Sequence, residues 1–197
     1  MNTTERQKDI LKAAFALIAE QGIQELTIKN LAKAVGVSEP ALYRHFDSKA
    51  SILSAIVDEI ISIRNEAWQH TLLDKKPAQE CLYSFFLRQA QSFESLPSLV
   101  IILYPDMLFR QDLELLGRIR RMIKETGEGV TTMLDKGIAE GSFKKDMDTI
   151  AVSIMLIGGF RILVSEWQLN RDHNKKLSLV KNTQEYIHSV LRLISAA

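Results

Sequence analysis

The chain of 197 residues contains a single cysteine, Cys81. No intrachain disulfide can form, and the expected setting is a reducing cytoplasm. It also lacks a dominant charge, since 25 Lys and Arg stand against 24 Asp and Glu for a formal net charge of +1. Bulk charge therefore does not mark a nucleic-acid binder, and residues 1–50 are equally balanced, with seven basic and six acidic side chains. Any positive surface must come from placement. The N-terminus is polar and has no leader pattern. Within the most apolar stretch, 147–169, the run from Ile150 to Val164 is fifteen residues long and carries Arg161, whereas a spanning helix needs about 20. A helix buried on several sides is expected there, and no membrane anchor. Neither a strand pattern nor an internal repeat occurs.

Signs of catalysis are equally scarce. His45, His70, His173 and His188 show no metal-ligand spacing with a carboxylate or with Cys81. No Gly-rich phosphate loop follows a strand, and no nucleophile elbow is present. Glu125 and Glu128 read as a solvated helix face, and Cys81 as a small buried hydrophobe rather than a redox sensor. No catalytic residue, metal site or cofactor is expected. A content of 46% hydrophobic and 25% charged residues suits an ordinary globular chain.

What the sequence does contain is concentrated between Leu26 and Lys49. Thr27 can cap a helix whose apolar face is Ile28, Leu31, Ala32 and Val35. Gly36 follows where the chain leaves that helix, a position that favours a left-handed backbone. Ser38 caps a second helix with Pro40 in its first turn, where a missing N–H is tolerated. Leu42 and Phe46 hold this second helix down and leave Glu39, Pro40, Tyr43 and Arg44 facing outward. The pattern is a helix-turn-helix, whose second helix can enter a DNA major groove.

The run Thr27-x-x-x-Leu31-Ala32-x-x-x-Gly36-Val37-Ser38, then Leu42-Tyr43-x-His45-Phe46-x-x-Lys49, resembles the N-terminal signature of TetR-type bacterial repressors. The strong resemblance covers roughly the first 60 residues, and the motif fixes about a dozen positions over 23. It implies that Tyr43 and Lys49 contact backbone phosphates, with Thr27 and His45 doing so as well. Glu39, Pro40 and Ala41 face base edges, Ala41 standing where many relatives carry Thr. Lys29 reaches bases or phosphates. Arg44 is the best candidate for reading guanine, a phosphate contact being equally open. With Ser38 at the cap, these ten residues form the expected DNA-binding surface. The alternative for Tyr43 and His45 is that they only pack the head.

The remaining chain reads as helices throughout. A first helix at about Thr4 to Gln21, with a capping-box spacing at Thr4 and Gln7, ends at Gly22 in what resembles a Schellman turn. A helix from Lys49 to Leu72 bridges the head to the rest. Others are expected at 78–94, from Pro97 to an interruption at Pro105, at 112–140, at 147–169 and at 176–195. Gly117, Gly127 and Gly129 weaken the long one, so bends or a break are open. Gly158-Gly159 allows close approach of another backbone, and the last two helices can build a four-helix contact with a symmetry mate. The resemblance implies the same dimer.

The expected architecture is all-α with about nine helices: a helix-turn-helix head at 1–47 and a regulatory, dimerising body at 48–197. The body is rich in aromatic and Met residues, a lining that suits an adaptable apolar pocket. Trp68, Phe86, Gln89, Phe93, Tyr104, Met107, Met133 and Phe160 are the candidate ligand contacts, with His70, Arg88, Glu94, Arg110 and Arg161 as further polar anchors. The resemblance implies an inducer site among the middle helices and transfers none of its residues. The expected function is a cytoplasmic homodimeric repressor on a palindromic duplex operator, released by a small apolar or amphipathic ligand. Two other classes stay open: a DNA-bound regulator or scaffold controlled by a protein partner, and a helical enzyme with a relic head.

Overall fold

The computed structural model describes residues 4–72, 76–103, 112–173 and 177–196. Thr4 opens the first helix. Its hydroxyl accepts the Gln7 N–H at 3.2 Å, and the Gln7 side-chain oxygen accepts the Thr4 N–H at 3.0 Å. This reciprocal pair satisfies two donors that a helix start leaves orphaned, and α1 runs Glu5–Gln21. Gly22 corrects the expected Schellman turn. Its φ of 86° and ψ of 164° lie outside the left-handed helical region, and the chain swings directly into a 3-10 turn, Ile23–Glu25.

Seven further helices follow: α2 (Ile28–Val35), α3 (Glu39–Tyr43), α4 (Lys49–Leu72), α5 (Ala78–Ser95), α6 (Leu113–Ala139), α7 (Thr149–Asn170) and α8 (Leu179–Ile194). A 3-10 segment, Pro97–Leu103, connects onward from α5. The described residues hold no β-strand, only an isolated antiparallel bridge between Phe143 and Ser195. The fold is all-α, with eight α-helices among the described residues against the nine or so expected. The interruption expected at Pro105 lies outside the described residues.

Two groups of helices share one continuous core. In the first, α1 packs on α2 and α4, and Leu31 and Leu42 are fully buried beneath the turn. Each such leucine contributes about 1.5–3 kcal/mol by leaving water. In the second, α5 is central, packed against α4, α6, α7 and α8. Glu94 on α5 fixes α8 in place, its carboxylate accepting from the Ser178 hydroxyl and the Val180 N–H, both at 3.0 Å. Expected as a pocket anchor, Glu94 is instead committed to that helix start. The 3-10 segment lies between the groups and packs against α1 as well as α5 and α7.

The glycines of α6 do not break it. Gly129 is required by close packing, since a Cβ there would lie 2.6 Å from the Trp68 ring. Tertiary contact thus outweighs the cost of about 1 kcal/mol that glycine brings to a helix interior.

Helix α7 departs from expectation. It has 22 residues, with a mean hydropathy of 1.6 over an 18-residue window that is only 28% buried. By length and composition alone it is long enough to cross a bilayer, so the fifteen-residue count understated it. Within the single chain its burial is one-sided. Its neighbours α5, α6 and α8 cover one side, while Ile150, Ile154, Met155, Ile162 and Leu169 remain exposed on the other.

Candidate functional site

Local chemistry builds the helix-turn-helix. The Thr27 hydroxyl accepts the Asn30 N–H at 3.1 Å and starts α2. At the far end Gly36 takes φ 72° and ψ 35°, the left-handed conformation. The Val37 N–H then reaches back to the Ala32 carbonyl at 2.9 Å, and the Gly36 N–H to Lys33 at 3.2 Å. This pair of bonds is a Schellman motif. Ser38 accepts the Ala41 N–H at 3.3 Å and starts α3. The Gln7 side chain donates to the His45 carbonyl at 3.0 Å, tying the end of α3 to α1. Nothing in the sequence pattern singled out Gln7 for that role, because the partners are 38 positions apart. Ser48 accepts the Ser51 N–H at 3.1 Å, and Lys49 falls in the first turn of α4.

Eight of the ten expected DNA contacts are exposed: Thr27, Lys29, Ser38, Glu39, Pro40, Tyr43, Arg44 and Lys49. Ala41 and His45 are half-buried. Tyr43 keeps 47% of its surface in water, large for an aromatic residue whose only task is packing. Lys29, Arg44 and Lys49 form no ion pair among the described residues. Thr27 and Ser38 each spend one lone pair on capping, and each hydroxyl keeps a proton to donate.

In the body, a cavity of about 110 Å³ lies where α4, α5, α6, α7 and the 3-10 segment meet. Of the candidate ligand contacts, Phe86, Gln89, Phe93 and Phe160 line it. The Phe160 ring meets Phe86 edge-on with centroids 5.5 Å apart, and Phe93 at 6.1 Å. Trp68 and Met133 do not line it. Trp68 is buried behind Phe85, a wall residue on which its ring stacks at 4.1 Å, and Met133 is core. Tyr104 and Met107 lie outside the described residues, as do Arg110 and the side chain of His70. Arg88 is exposed on a separate shallow groove, while Arg161 stands on the cavity wall. Sequence reasoning missed Ile60, Ile63, Leu99 and, above all, Arg64. Arg64 donates to Glu125 on α6 at 2.6 Å. Further along α4, Arg118 of α6 binds Ser54 at 3.0 Å and pairs with Asp58. A larger open cleft, about 1100 Å³, follows α4 from His45 to Gln69. Asp58, Glu59 and Glu66 line it beside Phe46, Ala55 and Ile61, so its walls are far more polar than those of the smaller cavity.

The exposed stripe of α7 continues through Gly158, where an added Cβ would meet nothing within 4 Å. Gly159 faces inward. The Tyr186 hydroxyl sits against it and donates to the Met155 carbonyl at 2.7 Å, and burial raises the Tyr186 pKa. The two glycines therefore differ: Gly159 seats the Tyr186 side chain, and Gly158 leaves the outer face flat.

Known proteins share this arrangement. The sequence family described as bacterial regulatory proteins of the tetR family matches residues 10–56, and the one described as the C-terminal region of YsiA-like proteins matches residues 56–192. The transcriptional repressor KstR2 of Mycolicibacterium smegmatis is 24% identical over 143 residues, 73% of this chain and 70% of that protein. The structure of the ketosteroid regulator KstR2 of Mycobacterium tuberculosis superposes with a TM-score of 0.83 at 22% identity, covering 98% of this chain and 97% of that one. The regulator FadR from Bacillus subtilis, in complex with stearoyl-CoA, gives a TM-score of 0.72 at 26% identity over 94% and 96% of the two chains. With the family matched across head and body alike, the chain belongs to the TetR family of bacterial transcriptional regulators.

Proposed function

We propose that the protein is a cytoplasmic homodimer that holds two α3 helices on a palindromic operator and releases it when an apolar or amphipathic molecule fills the cavity beside α4. That it is a DNA-binding transcriptional regulator follows from its family. The observation that carries the rest is α4. One unbroken helix has Lys49 at the reading head and Ile60, Ile63 and Arg64 in the cavity wall. The stearoyl-CoA bound to FadR makes a fatty acyl thioester the first ligand to test. At about 110 Å³ the cavity is below the roughly 300–1,000 Å³ of usual ligand sites, so it takes a few carbons as it stands and widens for a long chain.

The partner on α7 is a second copy. Ile150, Ile154, Gly158 and Ile162 recur every four residues, Leu169 extends the same stripe, and exposed Leu193 adds to it from α8. A contiguous apolar face of this kind marks an interaction site, and a twofold axis lets one such face cover another. Arg161 and Glu166, both exposed on α7, argue against lipid as the occupant.

On DNA, Thr27, Tyr43, His45 and Lys49 hold phosphates, Glu39, Pro40 and Ala41 approach base edges, and Lys29 and Arg44 supply cations. Lys29 and Lys49 from each of two subunits give four phosphate-neutralising cations, and six where Arg44 also meets a phosphate, so counterion release of about 0.9 per neutralised phosphate predicts a log–log salt slope of about −4 to −5. An operator titration with a slope near zero sinks this footprint. Tyr43→Ala should weaken binding to all sequences alike, because phosphate contacts carry no base information. Arg44→Ala should change sequence preference by about 1–3 kcal/mol at the contacted base. Binding of variant operators separates the two roles: a Tyr43→Ala protein with altered preference but intact affinity reverses the assignment.

A further inference from the structure

We infer that the cavity beside α4 selects a neutral carbonyl oxygen, so that its ligand is an apolar skeleton bearing a ketone, ester or thioester at the end facing Arg64 and Gln89. This rests on the reading of that cavity as the regulatory ligand site. Among the described residues, Arg64 Nε and Gln89 Nε2 are buried without a hydrogen-bond partner, and both residues line the same cavity. Buried donors are almost always satisfied, and those that are not call for an absent partner. Among the described residues, the rest of the wall offers no competing acceptor of strength. The Thr126 hydroxyl is bound to the Met122 carbonyl at 2.8 Å, and the other polar lining residue, Arg161, can only donate.

Donor chemistry fixes the ligand atom. A glutamine amide can present either its oxygen or its nitrogen, but an arginine Nε only donates, so the complementary atom is an acceptor. A carbonyl oxygen has two lone pairs and can take one bond from each residue. Charge then decides between a carbonyl and a carboxylate. Glu125 already pairs with Arg64 at 2.6 Å, and a second anion placed there would face like charge. Beside that pair a neutral oxygen needs no countercharge, whereas an acid would have to draw one from Arg161.

The test uses two small molecules of matched shape, cyclopentanone and methylenecyclopentane, titrated into the full-length protein with isoleucine methyl groups labelled for NMR. Ile60 and Ile63 line the cavity and report occupancy in every variant. The ketone should bind about tenfold more tightly than the alkene, the scale of a hydrogen bond made to otherwise unsatisfied donors. In Gln89→Leu, which replaces the amide with an apolar group of similar size, that ratio should fall towards one while the alkene still binds. Equal affinities in the unaltered protein, or a tenfold ratio that survives Gln89→Leu, overturn the carbonyl inference and leave the cavity as a ligand site. If neither molecule shifts the Ile60 and Ile63 methyl signals, both the inference and the reading beneath it fall.

Discussion

Replacing Gly158 with leucine is expected to convert the protein to a monomer and to lower operator affinity by about 10²–10⁴, the gain that linking two binding heads supplies. The site lies midway along the exposed stripe of α7, between Ile154 and Ile162. Within one subunit the change is harmless, since a Cβ there would meet nothing within 4 Å. Leucine also favours the helix over glycine by somewhat under about 1 kcal/mol. A folded monomer is therefore the expected product, distinguishable by circular dichroism from an unfolded one. Two heads held in one dimer reach half-sites about 34 Å apart or a multiple of that, and a monomer loses the second contact. Sedimentation showing an intact Gly158→Leu dimer would place the interface elsewhere. Gly159 offers no such clean test. A Cβ there would lie 2.1 Å from the Tyr186 hydroxyl, so substitution disturbs the subunit itself.

What the sequence revealed follows from the range over which each feature is determined. The head was legible because its signals are local. Thr27, Gly36 and Ser38 each act on a backbone group within five residues, and each does in the fold what its chemistry suggested. The cavity was only half legible, because helical rotation decides which aromatic residues face it. Phe86, Phe93 and Phe160 do, while Trp68 of similar character stacks behind Phe85. Arg64 escaped notice because an arginine on a long helix reads as a solvated residue until Glu125, 61 positions away, is brought beside it. Glu94 misled for the same reason, its partners on α8 being 84 and 86 positions distant. How much of α7 its own chain leaves uncovered was not legible, because a run of aliphatic residues looks alike whichever neighbour covers it.

A ligand that fills the cavity is expected to lower operator affinity about 5- to 150-fold, the range of ordinary allosteric coupling at 1–3 kcal/mol. Two structural paths lead from cavity to head. Along α4, Arg64 lies about 22 Å from Lys49 at 1.5 Å per residue. The Arg64–Glu125 and Arg118–Asp58 pairs bind that helix to α6, so the two helices move together when the walls separate. The second path is shorter. Leu99 lines the cavity from the 3-10 segment, which packs on α1, the helix that Gln7 ties to the end of α3. A cavity of about 110 Å³ cannot admit a long acyl chain without pushing on one wall or the other. The ligand shifts the equilibrium only by its preference for the widened arrangement, and operator DNA must weaken ligand binding by the same factor. Both halves can be measured with stearoyl-CoA, using Trp68 fluorescence to follow binding, since that ring stacks on the cavity wall. Equal factors in the two directions establish the coupling. If the ligand saturates the body while operator affinity stays constant, the mechanism is wrong, and control by a protein partner becomes the better account.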